Sequence, residues 1–317
     1  MNSVIFANAT EYKNSSLPTK PPGYCTDVTC ISMATANSII MVLGITGNGL
    51  VIWIVGFKIK KTVNTVWYVS LAVSDFLFCA FLPLSIVYVV KNNWIFGSFM
   101  CKFLPFFLFF NWFSSIFLLI IISVDRCVVV MFPVWAQNKR TIRRALVIVL
   151  LIWMISPLLS LPLTNVYDIK IENPNKYCIP TYTDKKQSAV QMCLFIFGFG
   201  IPFLIIIICY VLIIRKLKKD QITKTNKPFK VMTALILALF ICWMPYHVIN
   251  FLEPNLKFAG VGRKIGITLA GANSFMNPML YAFMAKDFKR KMSCISIRKA
   301  GIHSERCTAN PGENKAF

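Results

Sequence analysis

The chain has 317 residues, 56% of them hydrophobic, and a formal net charge of +22. One soluble core of this length cannot hide so much apolar surface. The charge lies in short loops between apolar runs, where it orients a membrane protein and meets anionic lipid, so nucleic-acid binding is set aside.

Residues 1–30 are polar and carry no short cleavable apolar segment. No removed signal peptide is expected, and the first apolar run should serve as the insertion signal. Asn8-Ala9-Thr10 and Asn14-Ser15-Ser16 are sequons, so Asn8 and Asn14 are candidate glycosylation sites. Cys25 and Cys30 close this segment and are candidates to pair with each other.

Seven apolar runs follow, at about 31–57, 66–90, 99–131, 145–163, 188–214, 231–252 and 265–284. A hydrocarbon core of ~30 Å takes roughly 20 helical residues. The fold class is therefore an all-α membrane protein, a seven-transmembrane helix bundle over 31–284. Lys58, Lys60, Lys61, the Lys139–Arg144 cluster, the Arg215–Lys230 segment and the tail after Ala285 hold 22 of the 34 Lys and Arg. Against Asp220, Asp287, Glu305 and Glu313 that side carries +18, while the opposite loops carry +5. The basic side is expected in the cytoplasm, with the N-terminus outside and the protein in the plasma membrane.

Within the runs, ionisable and amide side chains are expensive and mark functional candidates. Asp75 sits mid-run, and Asn48, Asn111, Ser115, Asn273, Ser274 and Asn277 occupy other runs. They read either as interhelical hydrogen-bond glue or as oxygen ligands for a small hard cation such as sodium. Asp125-Arg126 ends the third run, where Arg126 either snorkels or exchanges partners between two states. Pro83, Pro157, Pro162, Pro202, Pro245 and Pro278 interrupt helical hydrogen bonding. In Cys242-Trp243-Met244-Pro245 and Asn277-Pro278-Met279-Leu280-Tyr281 the kink carries a bulky or polar side chain and reads as a moving part. Cys79, Cys127, Cys193, Cys209 and Cys242 lie in or at the ends of runs as small hydrophobes. Cys101 and Cys178 face the oxidising side, where a disulfide is favoured. After the seventh run, Phe288, Met292 and Ile295 recur among Lys and Arg. Residues 285–299 thus read as a short amphipathic eighth helix, with Cys294 a palmitoylation candidate, before a flexible tail at 300–317.

Taken in order, the motifs resemble the rhodopsin-like (class A) G-protein-coupled receptors over about residues 30–300. They are Gly47-Asn48 with Val51, Leu71-Ala72-Val73-Ser74-Asp75, Cys101 with Asp125-Arg126, Trp153, Pro202 with Tyr210, Phe240 with Cys242-Trp243-Met244-Pro245, and Asn277-Pro278-Met279-Leu280-Tyr281. The resemblance implies a heterotrimeric G protein as partner. It makes Trp243 and Phe240 a switch beneath the ligand, beside Pro245. Arg126, Tyr210 and Tyr281 would rearrange as helix six swings outward. Asp75, Asn111, Ser115, Asn273 and Asn277 would form the family's sodium site. Two departures stand out: Cys127 follows Asp-Arg in place of the commoner Tyr, and Thr225 replaces the acidic partner at the base of helix six. With Thr225 there, the resting ionic lock is expected to be weak or absent, with some ligand-independent activity.

Three stretches resemble the chemoattractant branch, chemokine-like (chemerin) and formyl-peptide receptors above all. They are Asp125-Arg126-Cys127-Val128 running into Pro133-Val134-Trp135-Ala136-Gln137-Asn138, then Lys224–Lys230, and Trp94-Ile95-Phe96-Gly97. That branch implies inhibitory-class G proteins, chemotaxis and inflammatory signalling, with arrestin a further partner.

Helix counting against the family narrows the ligand. Leu108 stands where amine receptors carry Asp, and Gly271 where opsins carry Lys. Phe109, Val190 and Leu194 stand where formyl-peptide receptors carry charged residues. What remains is an aromatic cavity (Phe106, Phe109, Phe110 and Phe113, with Trp243 below) and a rim of Lys91, Arg263 and Lys264, with His247 and Glu253 along helix six. The expected ligand is a peptide whose C-terminal carboxylate meets Arg263 or Lys91; each base reads equally as a lipid anchor. The alternatives are an anionic lipid mediator as ligand, or a non-signalling scavenger receptor. A transporter lacks the paired broken helices it would need. An enzyme is set aside because histidine occurs only at His247 and His303 and no nucleophile or metal motif of recognisable spacing appears.

Overall fold

A computed structural model describes residues 27–172, 174–181, 184–220, 227–252 and 259–284. Asn8, Asn14, Cys25, Thr225, Glu253, the amphipathic helix expected at 285–299, Cys294 and the tail at 300–317 lie outside the described residues, as does the side chain of Tyr281.

The elements are α1 (Val28–Trp53, continued by a π-helical turn at Ile54–Lys58), α2 (Val63–Lys91), α3 (Gly97–Met131), a short α4 (Pro133–Lys139) and α5 (Ile142–Asn165). A hairpin of β1 (Tyr167–Glu172) and β2 (Asn175–Pro180) follows, pairing Tyr167 with Pro180 through to Glu172 with Asn175. Helix five is α6 (Asp184–Phe195), a π turn (Ile196–Gly200) and α7 (Ile201–Lys219); α8 (Lys227–Leu252) and α9 (Ala259–Met284) complete the bundle. Five of these seven rods are long and apolar enough to cross a membrane by composition, and α8 and α9 run 26 residues each.

The helices begin ahead of the apolar runs because polar residues beyond the hydrocarbon still satisfy helix ends. Thr62 caps α2, its hydroxyl accepting from the Thr65 N–H while the Thr65 hydroxyl accepts from the Thr62 N–H. Asn92 then stops it in the left-handed conformation that asparagine tolerates. Hydropathy could not foresee the π turn in helix five. Its cause is Pro202, whose ring would meet the carbonyl four residues back, at Gly198 in the middle of that turn.

α3 is the axis: 67% of its most apolar stretch is buried, against 17% for α5. Trp67, Leu71, Trp112, Ile116, Leu119, Ile206, Leu239 and Trp243 join in one core around it. α5 turns Leu146, Leu150, Met154 and Leu158 outward, which only lipid can cover, and it is tied to α2 by the Trp153 indole donating to Ser70 at 3.0 Å. The expected disulfide is present: Cys101 on α3 is bonded to Cys178 on β2, with 5.5 Å between Cα atoms. Trp94 strengthens this corner. Its N–H donates to the Lys176 carbonyl at 2.8 Å and its indole to the Gly97 carbonyl at 2.8 Å. Cys30 is disulfide-bonded as well, but its expected pairing with Cys25 cannot be placed among the described residues. Cys79, Cys127, Cys193, Cys209 and Cys242 are free thiols, all buried but Cys193.

α1 and α2 approach closely at Gly44, where a Cβ would stand 2.2 Å from the Cys79 sulfur. Gly44→Ala should lower the thermal midpoint of the purified protein by the equivalent of about 1–3 kcal/mol of overpacking. Adding Cys79→Ala should recover most of that loss. Equal midpoints for the single variant and the wild type would show that the two helices separate freely there.

Candidate functional site

Three layers run along the bundle axis. In the middle, Asp75 is wholly buried. The Asn111 amide from α3 donates to its Oδ1 at 2.8 Å, and the Asn277 amide from α9 donates to its Oδ2 at 2.7 Å. The hydroxyls of Ser115 and Ser274 also face this carboxylate. The Ser274 hydroxyl donates to the Asn111 side-chain amide oxygen Oδ1 at 3.3 Å. Asn48 on α1 donates to the backbone oxygens of Gly44 and Ser274, at 3.0 and 2.8 Å. The layer has more acceptors than donors. Asn48 Oδ1, Asn273 Oδ1 and Asn277 Oδ1 are buried amide oxygens without a hydrogen-bond partner among the described residues.

Toward the hairpin end lies an aromatic layer. Trp243 on α8 stacks on Trp112 of α3 with centroids 4.9 Å apart. Phe240 stacks on Phe199 and Phe203 of helix five, at 5.5 and 4.7 Å. Above them a recess is lined by Leu108, Phe109, Trp243, Tyr246, Ile267 and Ala270, with only about 10 Å³ open, the space of one water. A second recess, between helix five and α8, is lined by Gln191, Leu194, Tyr246, His247, Asn250 and Phe251. His247 stands there among the rings of Trp112, Phe195, Phe199 and Tyr246, its Nε2 without a hydrogen-bond partner among the described residues.

The third layer is at the opposite, basic end. Asp125 and Arg126 are neighbours on α3, but the arginine Nε stands 3.9 Å from the carboxylate. Arg140, between α4 and α5, has taken that carboxylate in a two-pronged grip, Nε to Oδ1 at 2.7 Å and Nη2 to Oδ2 at 2.9 Å. Both guanidinium groups also donate to the amide oxygen of Asn64 on α2. Two cations thus share one carboxylate and one amide, so either can gain only what the other releases.

Of the residues expected to act together, the structure joins Asp75, Asn111 and Asn277, places Ser115 beside them, and brings Phe109 and Trp243 to one recess and His247 to the next. Phe113 lies one turn deeper on α3, stacked on Trp112 and Phe117 at 5.2 and 6.1 Å, and lines neither recess. Phe106 and Phe110 lead away toward Trp153 on α5. Lys91 is exposed at the end of α2, while Arg263 is half-buried in the first turns of α9. Pro245 and Pro278 lie inside α8 and α9, and Tyr210 is half-buried on α7. Asn64, Arg140 and Trp112 were not anticipated. Arg140 carried no signal beyond belonging to a basic loop, and Trp112 sits in a run already full of phenylalanine.

Residues 47–281 match the family model described as 7 transmembrane receptor (rhodopsin family). The chain is 42% identical over 304 residues to Chemerin-like receptor 1 of Homo sapiens, covering 88% of this chain and 81% of that protein. It is 40% identical over 277 residues to a C3a anaphylatoxin chemotactic receptor of Oncorhynchus mykiss (83% and 76%). To Formyl peptide receptor-related sequence 6 of Mus musculus it is 37% identical over 286 residues (84% of each). With a seven-helix bundle, a disulfide-pinned hairpin and one buried carboxylate amid amides and hydroxyls beside a central helix, the chain belongs to the rhodopsin family of seven-transmembrane receptors: it is a G-protein-coupled receptor of the membrane, and no enzyme.

Proposed function

We propose that this receptor sits in the plasma membrane with its N-terminus and hairpin end outside, and that its ligand is a chemoattractant peptide with an anionic C-terminus. On this reading it signals through an inhibitory-class G protein to promote chemotaxis and inflammatory responses. The names of the relatives, chemerin-like, C3a chemotactic and formyl peptide receptors, support the ligand class. The observation that carries the reading is the pairing of an apolar recess against Trp243 with the bases Lys91, Arg263 and Lys264 at the same end. A carboxylate is steered and held by the bases, while the apolar side chains beside it enter the recess. So little room is open there that entry must displace Trp243 or its neighbours. Helix six moves with Trp243, and at the far end Arg126 exchanges Asn64 and Asp125 for the G protein.

Asp75, Asn111, Ser115, Asn273 and Asn277 are the residues that would hold a sodium ion. The Asp75 carboxylate, the Ser115 hydroxyl and the buried unpartnered amide oxygens of Asn273 and Asn277 supply the hard oxygen ligands that such a cation prefers. A bound sodium would add the positive charge that the donor-poor layer lacks and so hold α2, α3 and α9 together in the resting arrangement.

Three experiments carry the expected outcomes. In transfected cells a C-terminal peptide of the chemerin type should lower cAMP in a manner blocked by pertussis toxin. Arg263→Glu should cost it about tenfold in potency, near 1.4 kcal/mol; activity confined to fatty-acid mediators or formyl peptides would redirect the ligand class, and unchanged potency would remove Arg263. In membranes without ligand, Asp125→Asn should raise guanine-nucleotide exchange about fivefold, the equivalent of ~1 kcal/mol of lost pairing. Arg140→Gln should lower exchange, because Arg126 then inherits the carboxylate; a rise would mean that Arg140 itself holds the resting state. Replacing sodium chloride by N-methylglucamine chloride should raise ligand-free exchange in the wild type but not in Asp75→Asn, and equal responses would dismiss the cation.

A further inference from the structure

We propose that Thr141 is a phosphorylation site for a base-directed protein kinase, and that phosphate on its hydroxyl draws Arg140 away from Asp125 and so returns that carboxylate to Arg126. The inference rests on the activation reading above and adds to it a covalent brake, applied from the connection between α4 and α5.

Thr141 stands in Lys139-Arg140-Thr141-Ile142-Arg143-Arg144, with four bases within three residues of it. No Asp or Glu occurs between Asp125 and Asp168, so an acidic substrate cleft meets only attraction there. The segment lies at the basic end, proposed above to face the cytoplasm and its ATP. Thr141 is exposed, and its backbone is extended, at φ −112° and ψ 152°. With Arg140 it makes up the whole connection between α4 and α5. α4 has only seven residues and buries Ala136 alone, so drawing it out into a kinase cleft sacrifices little helix. The Thr141 hydroxyl is lightly held, accepting from the Arg144 N–H at 3.4 Å. Thr62, exposed behind Lys60 and Lys61, is the contrast. Its hydroxyl accepts from the Thr65 N–H at 3.2 Å within a reciprocal cap, which a phosphate would break.

In the transfer, Thr141 Oγ1 bonds to the γ-phosphorus of ATP while the bond from that phosphorus to the β–γ bridging oxygen breaks. ADP leaves, and the hydroxyl proton passes to the carboxylate base of the kinase. The product carries a charge of about −1.5 to −2 at pH 7 and three strong acceptor oxygens. Arg140 is its immediate neighbour. That guanidinium now grips Asp125 at 2.7 and 2.9 Å and also donates to the Asn64 oxygen that Arg126 shares. Arg144 has one donor on the Lys139 carbonyl at 3.0 Å. A phosphate beside Arg140 is a stronger partner than a single carboxylate. Asp125, 3.9 Å from Arg126 Nε, then has one cation in place of two. Arg126 gains the carboxylate together with undivided use of Asn64. The resting arrangement is strengthened, and nucleotide exchange falls.

Two measurements test this on the full-length receptor. In lipid nanodiscs with ATP and the catalytic subunit of an arginine-directed protein kinase, mass spectrometry of chymotryptic fragments should find phosphate at Thr141 and little at Thr62. Phosphate found only elsewhere overturns the proposal. In membranes, Thr141→Glu should lower ligand-free exchange of labelled GTPγS, normalised to receptor at the cell surface, about threefold. Thr141→Asn, which keeps a capping oxygen but no added charge, should not show the fall. In an Asp125→Asn background, where exchange starts high, Thr141→Glu should change it little, because no carboxylate remains for Arg126 to regain. An equal fall in that background overturns the route through Arg140. Wild-type exchange in Thr141→Glu beside a raised Asp125→Asn overturns the brake and leaves the activation reading standing; silence in Asp125→Asn as well overturns both. Should the glutamate variant fail to reach the surface, kinase-treated wild type against kinase-treated Thr141→Asn, repurified and reconstituted with G protein, decides by the same comparison.

Discussion

A carboxylate in the middle of an apolar bundle costs several kcal/mol unless its lone pairs are met, and Asp75 imposes that constraint on everything around it. The two amides that meet it come from α3 and α9, so the position of one side chain fixes the separation of three helices. Asn48 extends the network to α1 through the Ser274 carbonyl. Lipid offers these helices no hydrophobic reason to associate, because its tails are as apolar as they are. Close packing and shared hydrogen bonds must supply the specificity. The layer is nevertheless incompletely satisfied: among the described residues the buried amide oxygens of Asn48, Asn273 and Asn277 have no donor. Each unmet oxygen raises the free energy of the present arrangement, so less is lost when the helices move apart, which suits a protein that must leave its resting state on demand.

The layers on either side obey different physics. Toward the hairpin the contacts are rings on rings, non-directional and dependent on shape. Toward the basic end they are charges sharing acceptors, dependent on geometry and on what else offers a carboxylate. Shape responds to an apolar intruder, and shared charge responds to a partner that brings new acceptors. The polar middle joins the two because Asn111 and Trp112 are consecutive on the same buried rod.

Much of this was legible in the sequence. Seven apolar runs are a consequence of bilayer thickness, and each became a helix. Asp75, Asn111 and Asn277 could be singled out because polar atoms at those depths need partners, and they proved to be one another's. Cys101 and Cys178 stood out by facing the same compartment. Other features were hidden for identifiable reasons. The π turn at Ile196–Gly200 leaves no mark in hydropathy, although Gly198 four residues before Pro202 was a hint. The expectation of a weak lock rested on Thr225 alone and overlooked Arg140. That residue's grip on Asp125 depends on how the α4–α5 turn folds back, which no local pattern encodes. Phe113 and Phe109 looked equivalent as members of one aromatic stripe, yet a turn of helix separates a recess wall from solid core.

A ligand can shift such a bundle only by as much as it prefers one packing over the other. If the proposed ligand enters the recess against Trp243, where about 10 Å³ is open, the resting packing would bind it poorly and most of its affinity would be earned in the displaced state. That is the condition for efficacy, since binding equally well to both arrangements shifts nothing. The rim bases act differently. Lys91, exposed at the end of α2, can attract an anion in either arrangement, adding affinity and speed of capture without bias. On the proposed ligand reading, discrimination between a ligand that merely occupies this receptor and one that activates it would reside in the apolar groups that reach Trp243, and the charged end would serve to deliver them there.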